Sequence, residues 1–227
     1  VDEQNGTKEK QYELLARYQR ERGLESLGMM TSQAFYDDPK RLAFTFARYK
    51  FVAKMLAGRR HVLEVGCADA FCTRVVRQEV QALTATDFDP LFIEDVKARM
   101  TERWSFDCLV HDMLAGPITG VFDGVYAMDV LEHIDPKDED LFLKNMFAPL
   151  TEDGVAIIGM PSLESQIYAS EISKEGHVNC KTQPDLKAVM EGHFKNVFMF
   201  SMNDEVLHTG YHKMAHYIIA LCAGPRR

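Results

Sequence analysis

The spacing of apolar positions changes period along the chain, and those changes predict its elements. From Lys8 to Arg22, Tyr12, Leu15, Tyr18 and Gln19 recur at helical spacing among charges, which predicts an amphipathic helix; residues 1–7 ahead of it are expected to fray. Gly23 and Gly28 bracket a turn, and Met29 to Asp38 reads as a polar and aromatic connector. Asp38-Pro39 then predicts a helix start, with an acid at the N-cap and proline at the first helical position. That helix should run to about Leu56, with Leu42, Phe46, Tyr49, Val52 and Ala53 on its inner side and Gly58 just past its end.

From His61 onward strand and helix periods alternate. His61 to Val65 reads as a short apolar strand, Gly66 to Ala70 as a tight turn of small residues, Phe71 to Gln78 as a helix and Ala82 to Thr86 as a second strand. Pro90 to Met100 is helical, Phe106 to Val110 and Phe122 to Met128 are strands, Asp138 to Leu150 is a helix and Val155 to Met160 a fifth strand. This alternation argues for a mostly parallel α/β sheet with right-handed crossovers. Ser162 to Thr182 has little periodicity and reads as an irregular excursion over the sheet edge. Pro184 to Gly192 is a helix; the last two strands, Val197 to Ser201 and His216 to Ala223, are joined without one and should be antiparallel neighbours. No linker divides the chain. One domain is expected over 1–227, with N-terminal helices over 1–57, as a lid or a packing layer, and a core over 58–227.

Composition narrows the partners. The chain has 227 residues, 46% hydrophobic and 26% charged, which suits a globular domain with a sizeable core. A net charge of -8 argues against a nucleic-acid partner, because such proteins usually carry a basic face. The longest apolar run, Tyr217 to Ala223, is far too short for a bilayer, so no membrane segment is expected. Five cysteines without paired spacing fit neither a disulfide framework nor a zinc ribbon, and a reducing cytoplasm is the default. Val1 is not an initiator residue, so a fragment or processed chain is expected.

The first candidate site lies between Arg59 and Asp89. In a doubly wound sheet, a strand, a turn of small residues, a helix and an acid after the next strand hold a nucleotide-like ligand. Gly66 lets the backbone come close because it has no Cβ, and Cys67 to Ala70 offer backbone at a helix N-terminus, suited to a carboxylate. Asp87 lies at the distance from Gly66 that ribose binding requires, while Asp89 reads as a second acid or as a helix cap. Ala68 and Ala70 stand where a dinucleotide loop has its second and third glycines; a ligand still fits if those backbones do not need positive φ. Hydride transfer from NAD ranks lower, because no second mononucleotide half is present.

Four motifs in order carry a resemblance: LEVGCADA at 63–70, Asp87 after strand two, FDGVYAMDVLEHI at 122–134 and LTEDG at 150–154. Over Val52 to Cys222 the chain resembles the class I S-adenosylmethionine-dependent methyltransferases, most of all the small-molecule branch with an LEH segment after strand four. The resemblance implies a Rossmann-like, seven-stranded, mostly parallel sheet with an antiparallel last strand and helices on both faces, here with two extra N-terminal helices. It implies S-adenosyl-L-methionine as cofactor, bound by Glu64, Gly66, Cys67, Ala68, Asp87, Phe88, Asp112, Met113, Met128 and Asp129. Within that set Glu64 would serve the ammonium, Asp87 the ribose, Asp112 the adenine amino group, and Met128 and Asp129 the methionyl end.

Methyl transfer from a sulfonium asks the protein mainly for alignment and desolvation, and for a base only when the acceptor is protonated. His133 is the first candidate base, a loop-capping histidine being its other reading, and His177 is the second. Tyr36, His133, Tyr168, His177, His208 and Tyr211 are the candidate acceptor-binding residues. His208 and His212 have metal-ligand spacing on a helix, but Gly210 between them argues for a loop, and no metal is expected. The expected activity is methyl transfer to a small polar acceptor, at oxygen rather than nitrogen, such as a sugar or similar biosynthetic intermediate. Small-molecule N-methylation, protein or nucleic-acid methylation and a non-catalytic cofactor-binding module are the alternatives. A homodimer is one assembly left open.

Overall fold

A computed structural model describes residues 7–226. A 3-10 turn at Lys10–Tyr12 and three helices, α1 (Glu13–Arg22), α2 (Met29–Asp37) and α3 (Lys40–Met55), precede the sheet. Then β1 (His61–Val65), α4 (Thr73–Arg77), β2 (Ala82–Asp87), α5 (Pro90–Arg99), β3 (Asp107–Val110) and β4 (Phe122–Met128) follow one another. The second half runs α6 (Glu139–Phe147), β5 (Leu150–Pro161), α7 (Glu171–Gly176), α8 (Gln183–His193), β6 (Phe194–Asn203), β7 (Val206–His208) and β8 (Tyr217–Pro225).

These strands form one sheet in the order β3-β2-β1-β4-β5-β8-β6-β7. Strands β1 to β5 pair in parallel, and β8 enters between β5 and β6, antiparallel to both. The α/β Rossmann-like reading therefore holds, with eight strands among the described residues in place of seven. The extra one is β7, a three-residue edge strand that pairs with β6 through Ser201 and His208. Three residues are too few to show a period.

The pleat sorts the core onto two faces. Val62, Tyr126 and Tyr217 face helix α3, which buries Tyr49, Val52 and Ala53 against them. Leu63, Val125, Ile158 and Ala220 face the other way, toward Phe142, Leu143 and Met146 of α6 and Leu186 and Met190 of α8. A one-residue slip of β1 would exchange the faces, so this burial also sets the register.

Several expectations need correction. Met29 to Asp38 is helix α2, because its cap comes from elsewhere in the chain: the Asp69 carboxylate accepts from Thr31 N at 2.6 Å and from Thr31 Oγ1 at 3.0 Å. Asp95 accepts from Met29 N at 3.4 Å, and a Cβ at Gly28 would overlap Asp69. The stretch after β5 is not structureless; it holds a 3-10 turn at Leu163–Tyr168 and α7, each N-capped by a serine, Ser162 and Ser170. Leu150 opens β5 instead of closing a helix, and Phe46 is exposed while Phe44 packs inward. The expected fraying of 1–7 falls, apart from Thr7, outside the described residues. Helix α1 forms as its amphipathic pattern predicts, yet buries none of its residues.

Candidate active site

Strand β1 ends in a loop whose backbone takes the left-handed conformation three times. Gly66 has φ +73, and the Val130 side chain occupies the space a Cβ would need there. Ala68 and Ala70 follow at φ 46 and φ 49. Positive φ is therefore required at both alanine positions, against the condition read from the sequence, and the cradle forms regardless. Left-handed backbone costs an L-residue about 1–2 kcal/mol, and a dense set of loop bonds maintains it. Gly66 N and Cys67 N both donate to Thr86 O, at 2.8 and 2.9 Å; Ala68 N donates to Asp87 Oδ2 and Ala70 N to Cys67 O, each at 2.8 Å. These amides have internal partners, which corrects the expectation that the loop presents them to a carboxylate. Helix α4 begins only at Thr73 and is five residues long.

Glu64 is 1% exposed, on the face covered by α3. Thr73 Oγ1 and Tyr49 Oη donate to its two oxygens at 2.6 and 2.9 Å. Burial pushes its carboxyl up to about 7, against the stabilising hydroxyl bonds. Glu64 thus links α3, β1 and α4 beneath the loop. Cys67 is buried as well, which raises its thiol.

Acids stand at the C-terminal ends of β2, β3 and β4. Asp87 closes β2, buried, with Ala68 N on one oxygen and Asp89 N on the other at 2.8 and 3.0 Å. Asp89 is the cap of α5, accepting from Leu91 N at 2.9 Å, so its cap reading is the one realised. Phe88 between them is exposed and offers a ring face. Beyond β3, Asp112 is exposed and accepts from Leu114 N at 2.8 Å, whereas the Met113 side chain is buried in the core. Beyond β4, Met128 is buried and Asp129 stands at φ 59 with Arg48 Nη1 2.9 Å from its Oδ2. Burial is the largest influence and opposes the Arg48 charge, but Asp129, Tyr217 and Glu132 together outweigh it and raise the guanidinium. Arg48 was absent from the sequence reading, since nothing local in α3 marks it.

The 3-10 turn Leu131–His133 follows Asp129 and brings His133 against His177, with ring centroids 5.1 Å apart. His133 Nδ1 lies 2.8 Å from Gly176 O, and His177 Nδ1 lies 2.8 Å from Gln166 Oε1. Burial lowers the His177 pKa, and the neighbouring His133 lowers it further. Glu132 beside them is fully buried; burial pushes its carboxyl well above the usual range, and the Asp129 charge adds to this.

The other acceptor candidates do not join this pair by any hydrogen bond or ring contact among the described residues. Tyr36, Tyr168 and Tyr211 are exposed, at 85%, 85% and 63%. His208 accepts from Gly210 N at Nδ1 and lies 2.8 Å from Asn203 Oδ1 through Nε2, so both ring nitrogens are committed to its hairpin. His212 is on a separate 3-10 turn, and the two do not form a helical pair.

A cavity of about 530 Å³ opens at the opposite end of the strands, among His61, Thr84, Lys97, Cys108 and Phe122. Open α/β sheets take their ligands at the carboxyl ends of the strands. The acids and the left-handed loop are at those ends. Carboxylates after β2, β3 and β4 suit a ligand with a ribose diol, an amino group and an ammonium.

Residues 62–154 match the family described as methyltransferase domain. No curated protein matches the sequence. The N-methyltransferase NodS from Bradyrhizobium japonicum WM9, in complex with S-adenosyl-L-homocysteine, has a TM-score of 0.60 at 18% identity, over 85% of this chain and 91% of that one. The plantazolicin methyltransferase BpumL, also with bound S-adenosylhomocysteine, has a TM-score of 0.63 at 9% identity, over 86% and 88% of the two chains. A chain of the complex between the Haloferax volcanii Trm112 methyltransferase activator and a putative methyltransferase has a TM-score of 0.66 at 12% identity, over 87% and 96%. Likenesses at these identities establish the fold, and the family match supplies the class. The chain has the fold of these methyltransferases, and residues 62–154 match a methyltransferase domain.

Proposed function

We propose that this protein methylates an oxygen of a small polar acceptor, a sugar or a similar biosynthetic intermediate. The observation that carries the reading is the His133–His177 pair, placed by the 3-10 turn directly after Asp129. A carbonyl oxygen can only accept, so Gly176 O keeps the proton on His133 Nδ1 and leaves the Nε2 lone pair for an acceptor hydroxyl. When bound, S-adenosylmethionine supplies a methyl on a sulfonium sulfur that departs with the bonding pair. Asp87 would hold its ribose, Asp112 its adenine amino group and Asp129 its methionyl end. Asp129, fixed by Arg48, would also set where that end lies relative to His133. His133 Nε2 would take the hydroxyl proton as the acceptor oxygen attacks, and His177 would orient the acceptor beside it.

Helix α2, pinned to Asp69 and Asp95, would cover the bound cofactor. The net charge of -8 supports a small acceptor over a nucleic acid. All five cysteines are free thiols, which supports a reducing, cytoplasmic setting. No helix among the described residues is long and apolar enough to cross a membrane. Small-molecule N-methylation is the second reading, favoured by the likeness to the N-methyltransferase NodS; a neutral amine would need no base.

Calorimetry tests the reading. S-adenosylmethionine and S-adenosylhomocysteine should both bind, and Asp87→Ala should weaken them about 10- to 100-fold, the worth of hydrogen bonds to a charged group. Failure to bind either molecule would remove methyl transfer altogether.

A further inference from the structure

Glu132, His133 and His177 each offer a ligand atom within 4.8 Å of the other two, the one such group among the described residues. Glu132 is 0% exposed, and neither carboxylate oxygen has a hydrogen-bond partner outside its own residue. Buried carboxylates are paired or coordinate metals. Arg48, a cation whose charge reaches Glu132, gives its hydrogen bonds to Asp129 instead.

Both imidazoles are oriented as metal ligands are, with the second ring nitrogen held by a carbonyl. Gly176 O fixes the proton on His133 Nδ1, and Gln166 Oε1 does the same for His177 Nδ1. The two Nε2 lone pairs are left for a ligand. The exposure of His133 leaves one side of the group accessible from solvent.

We propose that Glu132, His133 and His177 bind a divalent first-row transition cation through one carboxylate and two imidazoles. That donor set suits Zn²⁺, Fe²⁺ or Mn²⁺ better than Ca²⁺, which prefers oxygen ligands alone. The role of the ion rests on the methyl-transfer reading above. A cation beside the acceptor would coordinate its hydroxyl and lower its pKa; with the ion bound, His133 would serve as a ligand in place of its role as base, and the hydroxyl proton would leave to water. The metal spacing considered in the sequence was His208 with His212. The group that forms instead spans Glu132 to His177 and is closed by the hydrogen bond from His133 to Gly176.

The experiment titrates metal-stripped protein with Co²⁺ and with Zn²⁺ in the absence of S-adenosylmethionine. One ion per chain should bind, with visible d–d absorption for Co²⁺. Glu132→Gln and His177→Ala should each weaken binding at least about 100-fold. Zn²⁺ should raise the melting temperature of the native protein but not of Glu132→Gln, whose unchanged circular dichroism would show it folded. No bound ion, or equal binding by all three proteins, would overturn the site. Calorimetry with S-adenosylmethionine on the same metal-free protein tests the methyl-transfer reading on its own, so the two can fail separately.

Discussion

Arg48 Nη1 donates to both carboxylate oxygens of Asp129, at 2.9 and 3.2 Å, and so ties helix α3 to the residue after β4. The same guanidinium lies 3.7 Å over the Tyr217 ring of β8. Three distant parts of the chain thus meet beside the acid assigned to the methionyl end of the cofactor. The partners are unequally exposed, 11% for the Arg48 side chain and 38% for Asp129. Losing Asp129 leaves a buried guanidinium unpaired, whereas losing Arg48 leaves a carboxylate that water can reach. Asp129→Ala should therefore cost about 3 kcal/mol and Arg48→Met about 1 kcal/mol. Urea denaturation of the two variants checks the order; an inverted order would mean that the pair is held mainly by packing on Tyr217.

Glu64 should make stability depend on pH. Its folded pKa of about 7 lies above the ordinary value of 4.5, so the native state holds a proton that the unfolded chain has released between those limits. The contribution is fully present below pH 4.5 and is lost as pH rises through 7, a change on the order of 3 kcal/mol. Glu64→Gln keeps an acceptor oxygen for one of the two hydroxyls, Tyr49 or Thr73, and cannot titrate. Glu132, shifted in the same direction, remains in both proteins, so the comparison isolates Glu64. The stability difference between native protein and variant should change across pH 5 to 8; a constant difference would remove Glu64 as its source.

Ala68 is held at φ 46 on a half-buried loop. Glycine relieves left-handed strain of about 1–2 kcal/mol but adds about 0.4–1 kcal/mol of unfolded-state entropy. Ala68→Gly should therefore stabilise the protein by up to about 1 kcal/mol, measured as a rise in melting temperature, with cofactor affinity maintained. A clear loss of stability would show that the alanine methyl contributes packing that outweighs the strain.

His133→Ala should slow methyl transfer by about 10²- to 10⁴-fold if an acceptor hydroxyl loses its proton to the imidazole. Affinity for S-adenosylmethionine should stay within error of the native value. Single-turnover kinetics with the unmethylated acceptor separates the two quantities. Unchanged turnover would favour the amine acceptor of the second reading.

Most strand–helix alternation was legible because each element is long enough to display its period. Strand β4 was placed residue for residue, and the order of acids after β1, β2, β3 and β4 followed from strand ends that apolar runs define. Helix α2 was missed because its N-terminus is satisfied by Asp69, 38 positions away from Thr31. Strand β7 was missed because its three residues exist as a strand only through β6. The serine caps at Ser162 and Ser170 were visible locally and could have revealed the turn and the helix after β5.

The sequence by itself determined the alternating sheet, the cofactor class its motifs resemble and the strand ends where ligand-facing acids stand. Those properties follow from periodicity and from spacing along one strand–turn–helix unit, which local residues suffice to specify. Only the tertiary structure decided that Ala68 and Ala70 are held left-handed, that Arg48 restrains Asp129, and that Glu132, His133 and His177 converge. Each of these is set by partners far apart in the chain, through Asp87, helix α3 and the Gly176 carbonyl, and a contact between distant segments leaves no period to read.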